Sequence, residues 1–360
     1  MFKKTILAVG AAVILTTGSA ALQIDLRPFN ADFNTLMTGI ARDVAPSLRL
    51  GAVSGDLQGD ATIDHFNFSV LSLSFTAADG LAKVLRPSTK TQWLFTPLPL
   101  SSLINDNLGS SDSVEKVIAY PSIKLGFGMA VGGGWDVSIT GIWWPQVLAD
   151  TAVNASGSDT FKQLKPQFSF ANIGLQARKT VIEDSGLAGF IPAVSLGTGY
   201  HFSTFDLGVN LKSLKDLSIA APSVGQNQTL DMDGKFGVTT YSNVVTLDLQ
   251  VSKHLLVFTP YAKLTGAYQW SSFTGLADLK ARVTDSSVPA NNTTQDIYTH
   301  PTVNLSDFSF LSTTGLEINL FAVVFNFNIV ADMGRAFLGW SSGGIEANAF
   351  SLNTGLRIAL

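Results

Sequence analysis

Phe350-Ser351-Leu352-Asn353-Thr354-Gly355-Leu356-Arg357-Ile358-Ala359-Leu360 alternates without a break. Phe350, Leu352, Thr354, Leu356, Ile358 and Leu360 share one face, and Ser351, Asn353, Gly355, Arg357 and Ala359 share the other, because successive side chains of a strand point to opposite sides. Lipid is the natural cover for the apolar face. A tilted strand of about 9 to 11 residues is the unit of an outer-membrane barrel.

The same period recurs upstream. Ile123, Leu125, Phe127, Met129 and Val131 form one apolar row, Gly132-Gly133-Gly134 turns the chain, and Trp135, Val137, Ile139, Gly141 and Trp143 return. So tight a hairpin belongs on the periplasmic side of an outer-membrane barrel, and strands then alternate up and down. Residues 168–177, 193–211, 241–251, 256–270 (extended towards 283), 308–320 and 321–331 follow as strands, and residues 47–54 give a weak one. In residues 63–75 the phase passes from Phe66, Phe68 and Val70 to Leu71, Leu73 and Phe75, which implies a bulge. In residues 193–211 it passes from Val194, Leu196 and Tyr200 to Phe205, Leu207 and Val209, so the segment is one bulged strand or a hairpin at Ser203-Thr204. Up-and-down parity selects one strand. A soluble β-sandwich would alternate too, but its strands are usually about 5 or 6 residues, whereas several here keep phase for roughly ten. The expectation is an all-β, transmembrane antiparallel β-barrel of about 14 strands, with 12 as the alternative, and with both termini periplasmic.

Chain-wide features agree. Lys3 and Lys4, an apolar stretch over residues 6–15 and Gly18-Ser19-Ala20-Ala21 read as a signal peptide over residues 1–20. No later run reaches the roughly 20 apolar residues of a spanning helix. There are no cysteines, which excludes disulfides and thiolate chemistry. Hydrophobic residues make up 46% and charged ones 14%, yet mean hydropathy is only +0.27, because the apolar residues are interleaved with Ser, Thr, Asn and Gly. Net charge is −4, and without Lys3 and Lys4 about −6 by formal counting. No basic patch calls for nucleic acid.

Phe33, Leu36, Met37, Ile40 and Val44 recur at helical spacing over residues 30–45, with Asn30 or Asp32 as N-cap and Pro46 as the stop. Residues 21–46 therefore form a helical plug or hatch ahead of a barrel over residues 47–360, seated either in the lumen or on the periplasmic rim. Residues 77–117 lose the alternation, and Leu94-Phe95-Thr96-Pro97-Leu98-Pro99-Leu100 carries two prolines that exclude a central strand. Residues 146–165 and 285–301 read as long polar outside loops. Tyr120, Trp135, Trp143, Trp144, Tyr200, Tyr261, Tyr268, Trp270 and Trp340 fall near strand ends, where interfacial girdles belong.

Catalytic and metal motifs are missing from the sequence. His65, His201, His254 and His300 are dispersed and read as surface or turn histidines. Gly126-x-Gly128 lies within a strand and lacks the third glycine of a dinucleotide loop. Asp231-x-Asp233-Gly234 and the set Asp56, Asp60, Asp64 do not complete a calcium loop. No G-x-S-x-G elbow occurs. The expectation is no enzyme, no cofactor and no metal.

The export signal, the helix ahead of the strands, the apolar stretch over residues 94–100, and segments such as Lys253-His254-Leu255-Leu256-Val257-Phe258-Thr259-Pro260-Tyr261 and Thr314-Gly315-Leu316-Glu317-Ile318-Asn319-Leu320 together resemble the FadL-type family of outer-membrane transporters. The Asn-Pro-Ala motif of that family's hatch is absent, since Asn30-Ala31-Asp32 has no proline. The resemblance implies a plugged 14-stranded barrel in a bacterial outer membrane, passing long-chain fatty acids or other hydrophobic molecules. Its partners would be the lipid bilayer, the hydrophobic ligand and the barrel assembly machinery. Candidate ligand-binding residues are Phe33, Leu36, Met37 and Ile40 with Leu94, Phe95, Leu98 and Leu100, since a carrier of acyl chains needs apolar surface. A general diffusion porin and an adhesin acting through its outer loops are the alternatives. The scattered lumen charges Lys124, Asp136, Asp248 and Arg357 do not form the rings of a selective pore.

Overall fold

A computed structural model describes residues 27–53, 59–61, 66–77, 119–144, 167–186, 189–210, 214–219, 228–285, 293–335 and 350–359. One helix, α1 (Arg27–Val53), precedes twelve strand segments: β1 (Asn67–Ala77), β2 (Ala119–Gly132), β3 (Trp135–Trp144), β4 (Gln167–Ile182), β5 (Ala193–Asn210), β6 (Leu214–Ile219), β7 (Gln228–Ser252), β8 (Phe258–Asp285), β9 (Thr293–Thr299), β10 (Thr302–Leu320), β11 (Val323–Asp332) and β12 (Phe350–Ala359).

The sheet closes through ten positions. Antiparallel pairing runs β1-β2-β3-β4-β5-β7-β8-β10-β11-β12, and β12 returns to β1. β6 takes the place beside β7 that β5 leaves, and β9 takes the place beside β8 that β10 leaves. Twelve segments thus trace ten paths, and the expected 14 or 12 barrel strands become ten. Residues 47–54, counted as a strand, contribute helix up to Val53, and β1 pairs directly with β2.

Alternation sets the two faces. On β11, Val324, Asn326, Asn328, Val330 and Asp332 are buried, while Phe325, Phe327 and Ile329 are exposed; on β12, Ser351, Asn353 and Arg357 point inward and Leu352 outward. The exposed face is apolar around the barrel, with Leu125, Ile139, Leu175, Leu196, Leu247, Leu264 and Phe310 among its residues. That is a lipid-facing wall. The bulge expected in residues 63–75 is present, as the register shifts after Ser69. β5, by contrast, pairs with β7 without any shift from Ala193 to Asn210. Its change of phase is a change of lumen: Phe205 is buried on the inward face, in line with Ser203 and His201.

Helix α1 runs through Pro46 to Val53, beyond the expected stop. Proline removes one backbone bond and crowds the preceding turn, but Val44, Ala45, Ser47, Leu48, Arg49, Leu50, Ala52 and Val53 are all buried. Packing on every side outweighs one missing bond. The helix lies inside the barrel and runs opposite to β8. Phe33 and Met37 abut Gly275, the Ala45 carbonyl accepts from Gln269 Nε2 at 2.9 Å, and Gly59 beyond the helix meets Tyr261. At 1.5 Å per residue it spans about 40 Å, enough to thread the lumen. Its amino-terminal end therefore lies at the long-connection end of the barrel, away from the tight turns, and the expectation of a periplasmic amino terminus does not hold for α1.

Two further expectations change. Tyr261 is not in a girdle; it points inward between Gly59 and Gly315, where an added Cβ on either glycine would fall 2.2 Å and 2.4 Å from its ring. His201 is buried on the inward face, in space left by Gly174 and Gly199. Tyr200, Tyr268 and Trp270 do pack together on the outside, while Trp340 lies outside the described residues.

Candidate functional site

The lumen has three levels. At the turn end, residues 59–61 cross it as a strap. Gly59 N donates to Glu317 Oε1 (2.7 Å), Gln250 Nε2 to the Gly59 carbonyl (2.7 Å), Ala61 N to Ser252 Oγ (2.8 Å) and Thr180 Oγ1 to the Ala61 carbonyl (2.9 Å). Charged residues of the wall are paired there: Arg178 with Asp136 (3.0 Å), Arg357 with Glu317 (3.0 Å) and Lys263 with Asp248 (3.8 Å). The sequence expected scattered charges; the register brings Asp136, Asp248 and Arg357 each beside an opposite one.

At mid-height α1 is fastened to the wall. Arg49 Nη1 and Nη2 each donate over 2.8 Å, to Asp307 Oδ2 and Asp332 Oδ2. Leu50, Ala52 and Val53 pack with Val244, Ala267, Leu311 and Val330. Burial of such side chains stabilises by about 25 cal/mol per Å² of apolar surface, so the helix is held by both contact types.

At the long-connection end the inward face turns apolar. Phe170 is the register partner of Phe205, Phe205 of Thr240, and Thr240 of Phe273. Ile142 and Val238 are also buried on this face. Phe33 and Met37 of α1 enter it through the gap at Gly275, where a Cβ would lie 2.7 Å from Met37 Sδ and 2.9 Å from Phe33 Cζ. Here an acyl chain would find apolar walls. Of the eight candidate residues, Phe33 and Met37 belong to this cluster; Leu36 and Ile40 lie on α1 without described side chains; Leu94, Phe95, Leu98 and Leu100 lie outside the described residues. The sequence reading missed Phe170, Phe205 and Phe273. The signal was the phase change at Phe205, which was read as backbone irregularity rather than as an apolar lumen.

Beyond the strands at the turn end sits a titratable group of residues. Lys253 Nζ pairs with Asp184 and donates to the Gly186 carbonyl (2.8 Å), and the backbone N of His254 donates to Asp184 Oδ2 (2.7 Å). His254 Nε2 lies 2.6 Å from Asp60 Oδ2, and its Nδ1 lies 3.0 Å from Thr259 Oγ1. The hydrogen bond to Asp60 raises the His254 pKa against the opposing effect of burial, with Asp184 and Glu317 adding to the rise. Burial pushes the Asp184 carboxyl up, but its bonds to Lys253, His254 and Gly186 outweigh this and hold it below its usual value.

These shifts fix a pH dependence. A histidine whose folded pKa is raised stabilises fully below its unfolded value, near 6.5, and loses that contribution as pH rises through the folded one. The urea midpoint of unfolding should therefore fall between pH 6 and pH 9, and His254→Gln should flatten the fall. An unchanged slope in the variant would place the pH dependence elsewhere.

No family model matches the chain, and no curated protein does. Among solved structures, LpxR from Salmonella typhimurium aligns with 81% of this chain and 99% of its own, at 10% identity and a TM-score of 0.23. The expectation that this chain is no enzyme does not stand, and a likeness this distant assigns it no activity either. What the fold itself gives is a closed antiparallel β-barrel with a helix in its lumen.

Proposed function

We propose that this barrel passes long-chain fatty acids, or hydrophobic molecules of similar shape, across the outer membrane, with α1 as a displaceable plug. The apolar chamber formed by Phe170, Phe205, Val238 and Phe273 around Phe33 and Met37 carries the reading. An aqueous pore has no use for phenylalanines at its mouth. A diffusion porin also needs an open lumen, whereas many inward-facing side chains among the described residues, Lys124, His201, Gln269 and Arg357 among them, are buried. In this reading the signal peptide over residues 1–20 directs export, and barrel assembly machinery inserts the chain.

A second reading, binding through the outer surface, draws support from the β7–β8 ladder. It continues past Val238 and Gly275 to Gln228 and Asp285, flanked by β6 and β9. Fluorescent fatty acid added to refolded protein separates the two. Transport predicts saturable binding displaced by oleate, with affinity about tenfold weaker in Phe273→Asn, as expected for removing one buried aromatic contact. Absence of saturable binding overturns it.

A further inference from the structure

Leu256 and Phe321 are the non-glycine residues with positive φ among the described residues, at 57° and 56°. Each occupies the first central position of a two-residue hairpin turn, between Leu255 and Phe258 in one and between Leu320 and Val323 in the other. Turns with a positive φ at that position take glycine, because a Cβ there crowds the backbone. Two bulky apolar side chains in the same strained position, on neighbouring hairpins, call for a compensating contact.

Among the described residues those side chains are left largely uncovered. Leu256 is 78% exposed and Phe321 fully so, and Leu255, Val257, Phe258 and Leu320 beside them are about half exposed. The two tips adjoin, since Asn319 N donates to the Val257 carbonyl at 2.7 Å. The charges nearest the first tip turn elsewhere: Lys253 to Asp184, His254 to Asp60. The patch is thus apolar and uncharged. It continues without interruption into the outward row Phe258, Leu264 and Tyr268 on β8 and Phe325, Phe327 and Ile329 on β11.

We infer that the Leu256 and Phe321 hairpin tips insert into lipid and anchor this side of the barrel in the inner leaflet, the strain of the turn being offset by transfer of both side chains out of water. Continuity with the lipid-facing wall selects lipid as the occupant over a soluble partner. The surface also fixes how deep the barrel sits.

The absence of cysteine makes the test direct. Leu256→Cys, Phe321→Cys and Val257→Cys variants carry a nitroxide in vesicles of phosphatidylethanolamine and phosphatidylglycerol, with Leu264→Cys on the wall and Glu183→Cys in the exposed turn as references. Power saturation should show oxygen collisions exceeding those of a soluble nickel chelate at 256, 257 and 321, as at 264, and the reverse at 183. Val257 has no strained backbone, so its reading is independent of any perturbation of the turn. Nickel-dominated relaxation at the tips would place them in water and overturn the inference, leaving a soluble partner as their cover.

Discussion

Arg49→Ala is expected to destabilise the folded barrel by about 3–5 kcal/mol and to give a steady conductance in planar bilayers where the parent chain shows little. Arg49 is 1% exposed and donates to two carboxylates, of which Asp307 is 58% exposed and Asp332 only 3%. Asp307 can hydrate when its partner is removed. Asp332 cannot; it keeps Ser309 Oγ (2.6 Å) and Arg335 N (3.3 Å) as donors but loses its counter-charge, so the cost resides there. Arg49→Met with Asp332→Asn removes the stranded charge and should recover most of the urea midpoint while leaving the conductance, because the fastening of α1 is still gone. Arg49→Lys should recover only part of either, since one ammonium does not bridge two carboxylates as a planar guanidinium does. An unchanged midpoint and a closed bilayer in Arg49→Ala would mean that packing of Leu50, Ala52 and Val53 suffices to hold the helix.

What could be read from residue order was what depends on period two. The hairpin at Gly132-Gly133-Gly134, with all three glycines at positive φ, and the bulge after Ser69 follow from alternation and turn chemistry, and the single long β5 follows from up-and-down parity. Closure at ten positions did not, because the loss of alternation over residues 77–117 sets no limit on strand number, and residues 47–53 carry no signal that distinguishes a weak strand from a helix continuing past proline. The site was half legible. Phe33 and Met37 stood out by helical spacing, but Phe205 was masked by being apolar on the face that elsewhere is polar. Pairings such as Arg49 with Asp332 join residues 283 apart, and only register and helix direction could reveal them.

Glu317→Ala is expected to cost a similar amount, about 3–5 kcal/mol, and to release the strap rather than the helix. The Glu317 carboxylate is buried on β10 and accepts from Gly59 N (2.7 Å), Asn326 Nδ2 (3.2 Å) and Arg357 Nη2 (3.0 Å). Its removal leaves a guanidinium buried without that counter-charge and an amide without its acceptor, among side chains that are themselves buried. Glu317→Gln keeps an acceptor for Gly59 but not the charge, so its loss should be smaller, about 1.5–3 kcal/mol, the range of a charged hydrogen bond. Hydrogen exchange separates the two fastenings. In Glu317→Ala the amides of Gly59 and Ala61 should lose protection while those of residues 44–50 keep it; in Arg49→Ala the pattern should invert. Among the described residues the two sites share no hydrogen-bond partner, so their costs should add within about 0.5 kcal/mol in the double variant. Strong non-additivity would show that helix and strap leave the lumen as one body, and the barrel would then have a single gate spanning its full depth instead of a plug above and a separate closure below.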